Sequence, residues 1–145
     1  MSNNFLANGW SSVLPEGWRD GSMITLIGPT GPSGFAANIV VTQEPGNGAG
    51  SVEQFADEQK RAMNSEVGPV EILDERSLLL NGSPAFQRLH RFTVEGISIQ
   101  QVQTYVYSGK FFFVITGTAS VGEFNDMIDA VRAFTEKFTL SERLH

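Results

Sequence analysis

Between residues 70 and 118 the chain reads as four strands in succession: Val70 to Leu80, Ala85 to Glu95, Ile97 to Tyr107 and Lys110 to Thr118. The connections between them are of hairpin length, which forces antiparallel pairing, because a parallel return needs a crossover of a dozen residues or more. Asn81-Gly82 is the strongest of the turn signals, since both residues accept the positive φ of a type I′ turn. Ser108-Gly109 serves the next reversal in the same way. Whatever else the chain does, it must be arranged around an antiparallel sheet. The last strand is apolar on both faces, with Phe111, Phe113 and Ile115 on one side and Phe112 and Val114 on the other. Phe35 to Val41 behaves similarly, and a strand apolar on both sides is normally covered on both sides.

Two helices are available as covers. Ser51 and Gln54 have capping-box spacing. Val52, Phe55, Ala56, Ala62 and Met63 then follow helical spacing until Gly68-Pro69 stops the helix. Ser120 and Glu123 form a second capping box ahead of Phe124, Met127, Ile128, Val131, Phe134 and Phe138. In the first half, strand patterns at Trp10 to Leu14, Ser22 to Ile27 and Phe35 to Thr42 are separated by Gly/Pro-rich turns. The order of elements predicts an α+β fold, an antiparallel twisted sheet of about seven strands with two helices packed on it, in a single domain over residues 1–145. No internal repeat divides the chain.

Composition removes several function classes. A net charge of −6 with no run of Lys or Arg repels phosphate backbones, so nucleic acid is not an expected partner. No window reaches the roughly 20 apolar residues of a membrane span, so the chain is not expected to be membrane-embedded. Met1-Ser2-Asn3-Asn4-Phe5 has neither the basic start nor the apolar region of a secretory signal, which predicts a cytoplasmic protein. With no cysteine there is no thiol nucleophile and no thiolate metal site. His90 and His145 lack ligand spacing, and His90 reads as an ordinary residue of the charged strand Arg88-Leu89-His90-Arg91. Asp74-Glu75 beside Arg76 reads as a solvated charge cluster, and Asp126 and Asp129 as neighbours on the outer face of the last helix. The loop Gly28 to Gly34 has no Gly-Lys-Ser/Thr ending and no helix after it, so it is no phosphate loop. The sequence therefore predicts no catalytic residues, no metal site and no cofactor.

What remains unusual is three glutamines at positions where the patterning calls for apolar side chains. Gln59 lies in the helical stripe, and Gln101 and Gln103 in the strand row Ile97, Ile99, Gln101, Gln103, Tyr105, Tyr107. A buried amide must find partners or cost about 1–3 kcal/mol per unsatisfied group. Either these amides are satisfied within the fold, or they line a groove that something else covers.

Leu14-Pro15-Glu16-Gly17-Trp18-Arg19-Asp20-Gly21-Ser22 followed by Asn38-Ile39-Val40-Val41-Thr42 resembles the DcrB-related family of the Mog1/PsbP-like fold. The likeness extends through Phe55 to Met63, Ile72-Leu73-Asp74-Glu75-Arg76, Asn81-Gly82-Ser83-Pro84-Ala85 and Phe113-Val114-Ile115-Thr116-Gly117-Thr118-Ala119, and so covers nearly the whole chain. Short members of this kind resemble the Eag chaperones of type VI secretion effectors. The resemblance implies a homodimer whose concave surfaces shelter the apolar N-terminal transmembrane helices of a secreted effector. It also implies contacts through Gln59 and one of Gln101 or Gln103, with Ile24, Leu26, Ile39 and Val41 as apolar floor. A non-enzymatic interaction or immunity-like module of the same fold, or a lipid-binding module, is the alternative reading.

Overall fold

The computed structural model describes residues 3–7, for their backbone alone, 9–46 and 49–140. In order along the chain come β1 (Asn3–Ala7), β2 (Trp10–Leu14), β3 (Met23–Thr30), β4 (Ala36–Glu44) and α1 (Val52–Val67). They are followed by β5 (Glu71–Leu80), β6 (Ser83–Val94), β7 (Ile97–Tyr107), β8 (Phe112–Ser120) and α2 (Phe124–Glu136). Six strands form one antiparallel sheet in the order β3-β4-β8-β7-β6-β5, while β1 and β2 pair with each other as a separate ribbon. The α+β class, the antiparallel sheet and its two helices are as the sequence predicts. Among the described residues there are eight strands, divided six and two; β1 is the one the sequence reading did not include.

Residues directly opposite each other across an antiparallel pair share a face of the sheet, so the register assigns every side chain. One face carries Phe86, Arg88 and His90 of β6, Gln101, Gln103 and Tyr105 of β7, and Val114, Thr116 and Thr118 of β8. The other carries Val102, Thr104 and Val106 of β7, Phe113, Ile115, Gly117 and Ala119 of β8, Ile39 and Val41 of β4, and Ile24 and Leu26 of β3. The first face packs on α1 and the second on α2.

Helix α1 starts where its cap dictates: the Ser51 hydroxyl accepts the Gln54 backbone N–H at 3.0 Å. The reciprocal bond is displaced by one residue, because Gln54 Oε1 accepts from Gly50 rather than from Ser51. At the other end Gly68 takes φ of 85°, and its N–H closes on the Asn64 carbonyl. Phe55 lies parallel to the Phe112 ring at 4.2 Å and meets Tyr105 edge-on at 6.0 Å. Burial stops after Ala56. Met63 is half-buried and Ala62 is exposed, so the apolar stripe expected along the whole helix contributes to the core only through its first turns.

Helix α2 begins one turn after its expected cap. Val121–Glu123 form a 3-10 turn, and the Ser120 hydroxyl donates to the Glu123 carboxylate at 2.7 Å and accepts no backbone N–H of the helix. Gly117 lets the helix approach the sheet: a Cβ there would lie 2.7 Å from Val131 Cγ1. The far end of α2 is held by a turn from elsewhere in the chain. The Asn81 amide donates to the carbonyls of Phe138 at 2.6 Å and Glu136 at 3.3 Å, while Asn81 and Gly82 take the positive φ of the β5–β6 turn. One hairpin residue thus sets both a sheet register and a helix end.

Two substitutions test these close contacts by urea unfolding. Gly117→Ala is expected to cost about 1–3 kcal/mol, because the new methyl group pushes against Val131 in a packed core. Asn81→Gly preserves the turn but removes both carbonyl contacts, with an expected loss of about 1–2 kcal/mol.

Candidate functional site

The register separates the residues nominated from the sequence into two sets. Ile24 opposes Val41, Leu26 opposes Ile39, and both pairs lie on the α2 side of the sheet. Gln101 stands between His90 and Thr118, and Gln103 between Arg88 and Thr116, all on the α1 side. Gln59 belongs to α1 itself. A single groove with the four apolar residues as floor and the amides as rim is therefore not formed within one chain. Two surfaces have to be considered, one on each face.

On the α2 side, a cleft of about 380 Å³ runs between α2 and the β3–β4 hairpin. Leu26, Phe35, Ile39, Met127 and Val131 give it apolar walls, and Glu123 and Asp126 are its charged residues. One end is built by the β3–β4 turn, which is tied to the start of α2: the Ser33 hydroxyl and backbone N–H both donate to the Glu123 carboxylate. These bonds, with that from Ser120, hold the Glu123 pKa below the usual carboxylate range. Beyond the cleft β3 is the free edge of the sheet, with Ile24 59% and Leu26 43% exposed on this side and Met23 and Ile27 exposed on the other. Trp18 and Val13 are exposed apolar side chains as well. Ile39 and Val41 are only half-buried.

On the α1 side the amides are largely occupied. His90 Nε2 lies 2.8 Å from Gln101 Oε1, and the Gln101 amide donates to Thr118 Oγ1 at 3.0 Å. Gln103 accepts from the Tyr105 hydroxyl and donates to Thr116 Oγ1. Beside them Arg88 is fully buried, donating to Glu75 at 2.8 Å and to the Ala56 carbonyl of α1 at 3.0 Å, with the Phe86 and Tyr105 rings flanking its guanidinium. Of the three glutamines, Gln59 alone makes no side-chain hydrogen bond with the described residues, and it is half-buried. Among the described residues no group of three or more His, Asp or Glu is placed to hold a metal ion.

Arg88 and His90 are interior residues that the sequence reading did not single out. Both are completely buried, whereas their neighbour Leu89 is only half so. The alternating row Phe86, Arg88, His90, Phe92 carries the signal, since its two ends are aromatic and its charged members must share their side of the strand.

Burial depresses the His90 pKa from its ordinary 6.5, with the Arg88 charge adding to the effect and the Gln101 bond opposing it. Below pH 6.5 the unfolded chain therefore binds a proton that the folded chain refuses. Stability falls as pH drops through that window, by at most about 1.4 kcal/mol per pH unit for one group. The urea midpoint should decline between pH 7.5 and 5, above the range in which the carboxylates titrate. His90→Gln should flatten that decline; an unchanged slope would show that another group carries it.

The DcrB family profile matches residues 12–133. No curated protein matches the sequence. Among solved structures, the chain is similar to PA94 of Pseudomonas aeruginosa, a protein of unknown function. The TM-score is 0.85 at 12% identity, covering 98% of this chain and 99% of that one. It is also similar to cyanobacterial PsbP (CyanoP) of Synechocystis sp. PCC 6803, with a TM-score of 0.60 at 10% identity over 97% and 92% of the two chains. LpqN of Mycobacterium tuberculosis, involved in cell envelope biogenesis, gives a TM-score of 0.56 at 16% identity over 84% and 85%. At these identities the structural likeness establishes the fold alone, while the family profile spans most of the sequence. The chain belongs to the DcrB family and has the Mog1/PsbP-like fold.

Proposed function

We propose that this protein is a holding module for apolar segments of another protein. More specifically, we read it as a cytoplasmic chaperone that shelters the N-terminal transmembrane helices of a type VI secretion effector before export, acting as a homodimer. The observation that carries the proposal is the uncovered apolar end of the sheet: Ile24 and Leu26 exposed on β3, continuous with the apolar cleft beneath α2. Exposed apolar area of this extent marks an interaction surface in a soluble chain. The free edge of β3 supports the same reading, because an apolar edge strand is an association liability unless something occupies it. The resemblance to Eag chaperones supplies the class of occupant. Gln59 fits the role of a contact for a polar group on a bound helix, since its amide is unused within the chain. Gln101 and Gln103, on the α1 face, each keep one further N–H for a contact on that second surface.

The cleft itself favours a second reading, in which an amphiphile rather than a protein segment fills it. Its volume is at the lower end of the ≈300–1,000 Å³ usual for small-molecule sites.

Co-expression with an effector carrying N-terminal apolar helices should yield a soluble complex. Replacing Ile24 and Leu26 together by Asp should abolish it while leaving the chain folded, because both positions are already exposed. Gln59→Ala should weaken capture by several-fold. A complex that survives the double Asp substitution intact would refute the β3 surface as the holding site. Native mass spectrometry of the protein purified alone distinguishes the second reading, which requires a bound amphiphile.

A further inference from the structure

The charges around the α2 cleft are all of one sign. Glu123 and Asp126 line it, and no Lys, Arg or His does. Glu123 is fixed in place by Ser33 and Ser120, and its carboxylate is held ionised by those bonds. Asp126 is exposed one turn further along α2 and has no cation within salt-bridge distance among the described residues. The N-terminus of α2 opposes these charges only weakly: a helix end amounts to about half an elementary charge, against two full carboxylates. The nearest arginine on the helix, Arg132, is paired with Asp129 at 3.0 Å, and neither residue lines the cleft. An apolar trough with a negative mouth discriminates between occupants that are equally apolar.

We infer that this cleft takes an apolar helix of the partner protein whose end carries Lys or Arg, with the cation seated against Asp126 and Glu123. The inference rests on the holding function proposed above and adds the chemistry and polarity of the occupant. The apolar face of the helix enters between Leu26, Ile39, Met127 and Val131, and its basic end lies at the α2 start, where the carboxylates meet solvent. A helix with an acidic end is rejected by like-charge repulsion at the same place, so the two carboxylates set the direction in which the segment lies as well as its selection.

The test uses the full chain and three versions of one apolar helical segment fused to a soluble carrier, ending in Lys-Lys, Gln-Gln or Glu-Glu. Soluble complex is quantified at 50 mM and 500 mM salt. The expected result is a preference of about five- to tenfold for the Lys-Lys version over the Glu-Glu version at low salt, shrinking at high salt. Asp126→Lys, which sets one ammonium against the remaining Glu123 carboxylate, should erase the preference, while Asp129→Asn, on the same helix but outside the cleft, should leave it unchanged. Equal capture of all three versions would overturn the inference and leave the holding function standing. Capture of none would overturn both. A preference unaffected by Asp126→Lys would place the selectivity elsewhere and overturn the assignment to this cleft.

Discussion

Two helices of 16 and 13 residues have to cover both faces of a six-stranded sheet, and the geometry does not allow it. Strands repeat at about 4.8 Å, so six of them span roughly 24 Å, whereas a helix with its side chains is about 10–12 Å across. Each helix can shield about half of one face. Here α1 takes β6 and β7 together with the start of β8, and α2 takes β8 with parts of its neighbours. The sheet end formed by β3 and β4 is left with incomplete cover on both sides. The strands there are nevertheless apolar, and moving the two helices to bury them would uncover the β5–β6 end instead. The open surface thus follows from area and from which faces the helices occupy, and needs no special loop or strain to maintain it.

The covered part of the α1 face is unusual in being polar. A buried guanidinium is costly unless its donors are used; Arg88 Nε and Nη1 donate to Glu75, Tyr105 and a backbone carbonyl of α1, while Nη2 makes no hydrogen bond with the described residues and lies 3.7 Å from the Asp57 carboxylate. Because Ala56 belongs to the helix and Glu75 to the edge-strand β5, this one side chain joins helix, edge and interior. Tyr105 passes the chain of bonds to Gln103 and on to Thr116, and its phenol pKa is raised to about 12 by burial, so its proton stays in place at any ordinary pH. His90, Gln101 and Thr118 form a parallel relay one pair further along the strands. These networks hold the middle of the sheet in one register, which gives the open β3 end a fixed backing.

Hairpin turns, caps and strand alternation made most of the fold legible, because each depends on residues close together in sequence. Asn81-Gly82 and Ser51 with Gln54 mark element ends within a residue or so of where they fall. What failed was whatever depended on distant partners. Nothing local in the charged run Arg88-Leu89-His90-Arg91 says that Arg88 and His90 are interior, where Glu75, Ala56 and Gln101 meet them. The glutamines depend on distant partners too. Gln101 and Gln103 stand out in their row as candidates for outside contact, yet His90, Tyr105 and paired threonines occupy them. The four aliphatic residues nominated on β3 and β4 share one face of the sheet, and no local pattern says that the amides sit on the other.

That separation shapes how such a surface can hold a partner. If amides and aliphatics lined one groove, binding would combine many hydrogen bonds with burial and release would be slow. Split across the sheet, the α2 side offers mainly burial: each exposed aliphatic fully covered contributes roughly 1.5–3 kcal/mol, and only a few are available on β3 and along the cleft. Association itself costs several kcal/mol in lost freedom, so what remains is moderate affinity. A module that must keep an apolar segment from aggregating and later surrender it is better served by that balance than by a tight lock. A second copy presenting its own β3 end to the same segment would raise retention through multivalency, without any one contact becoming strong.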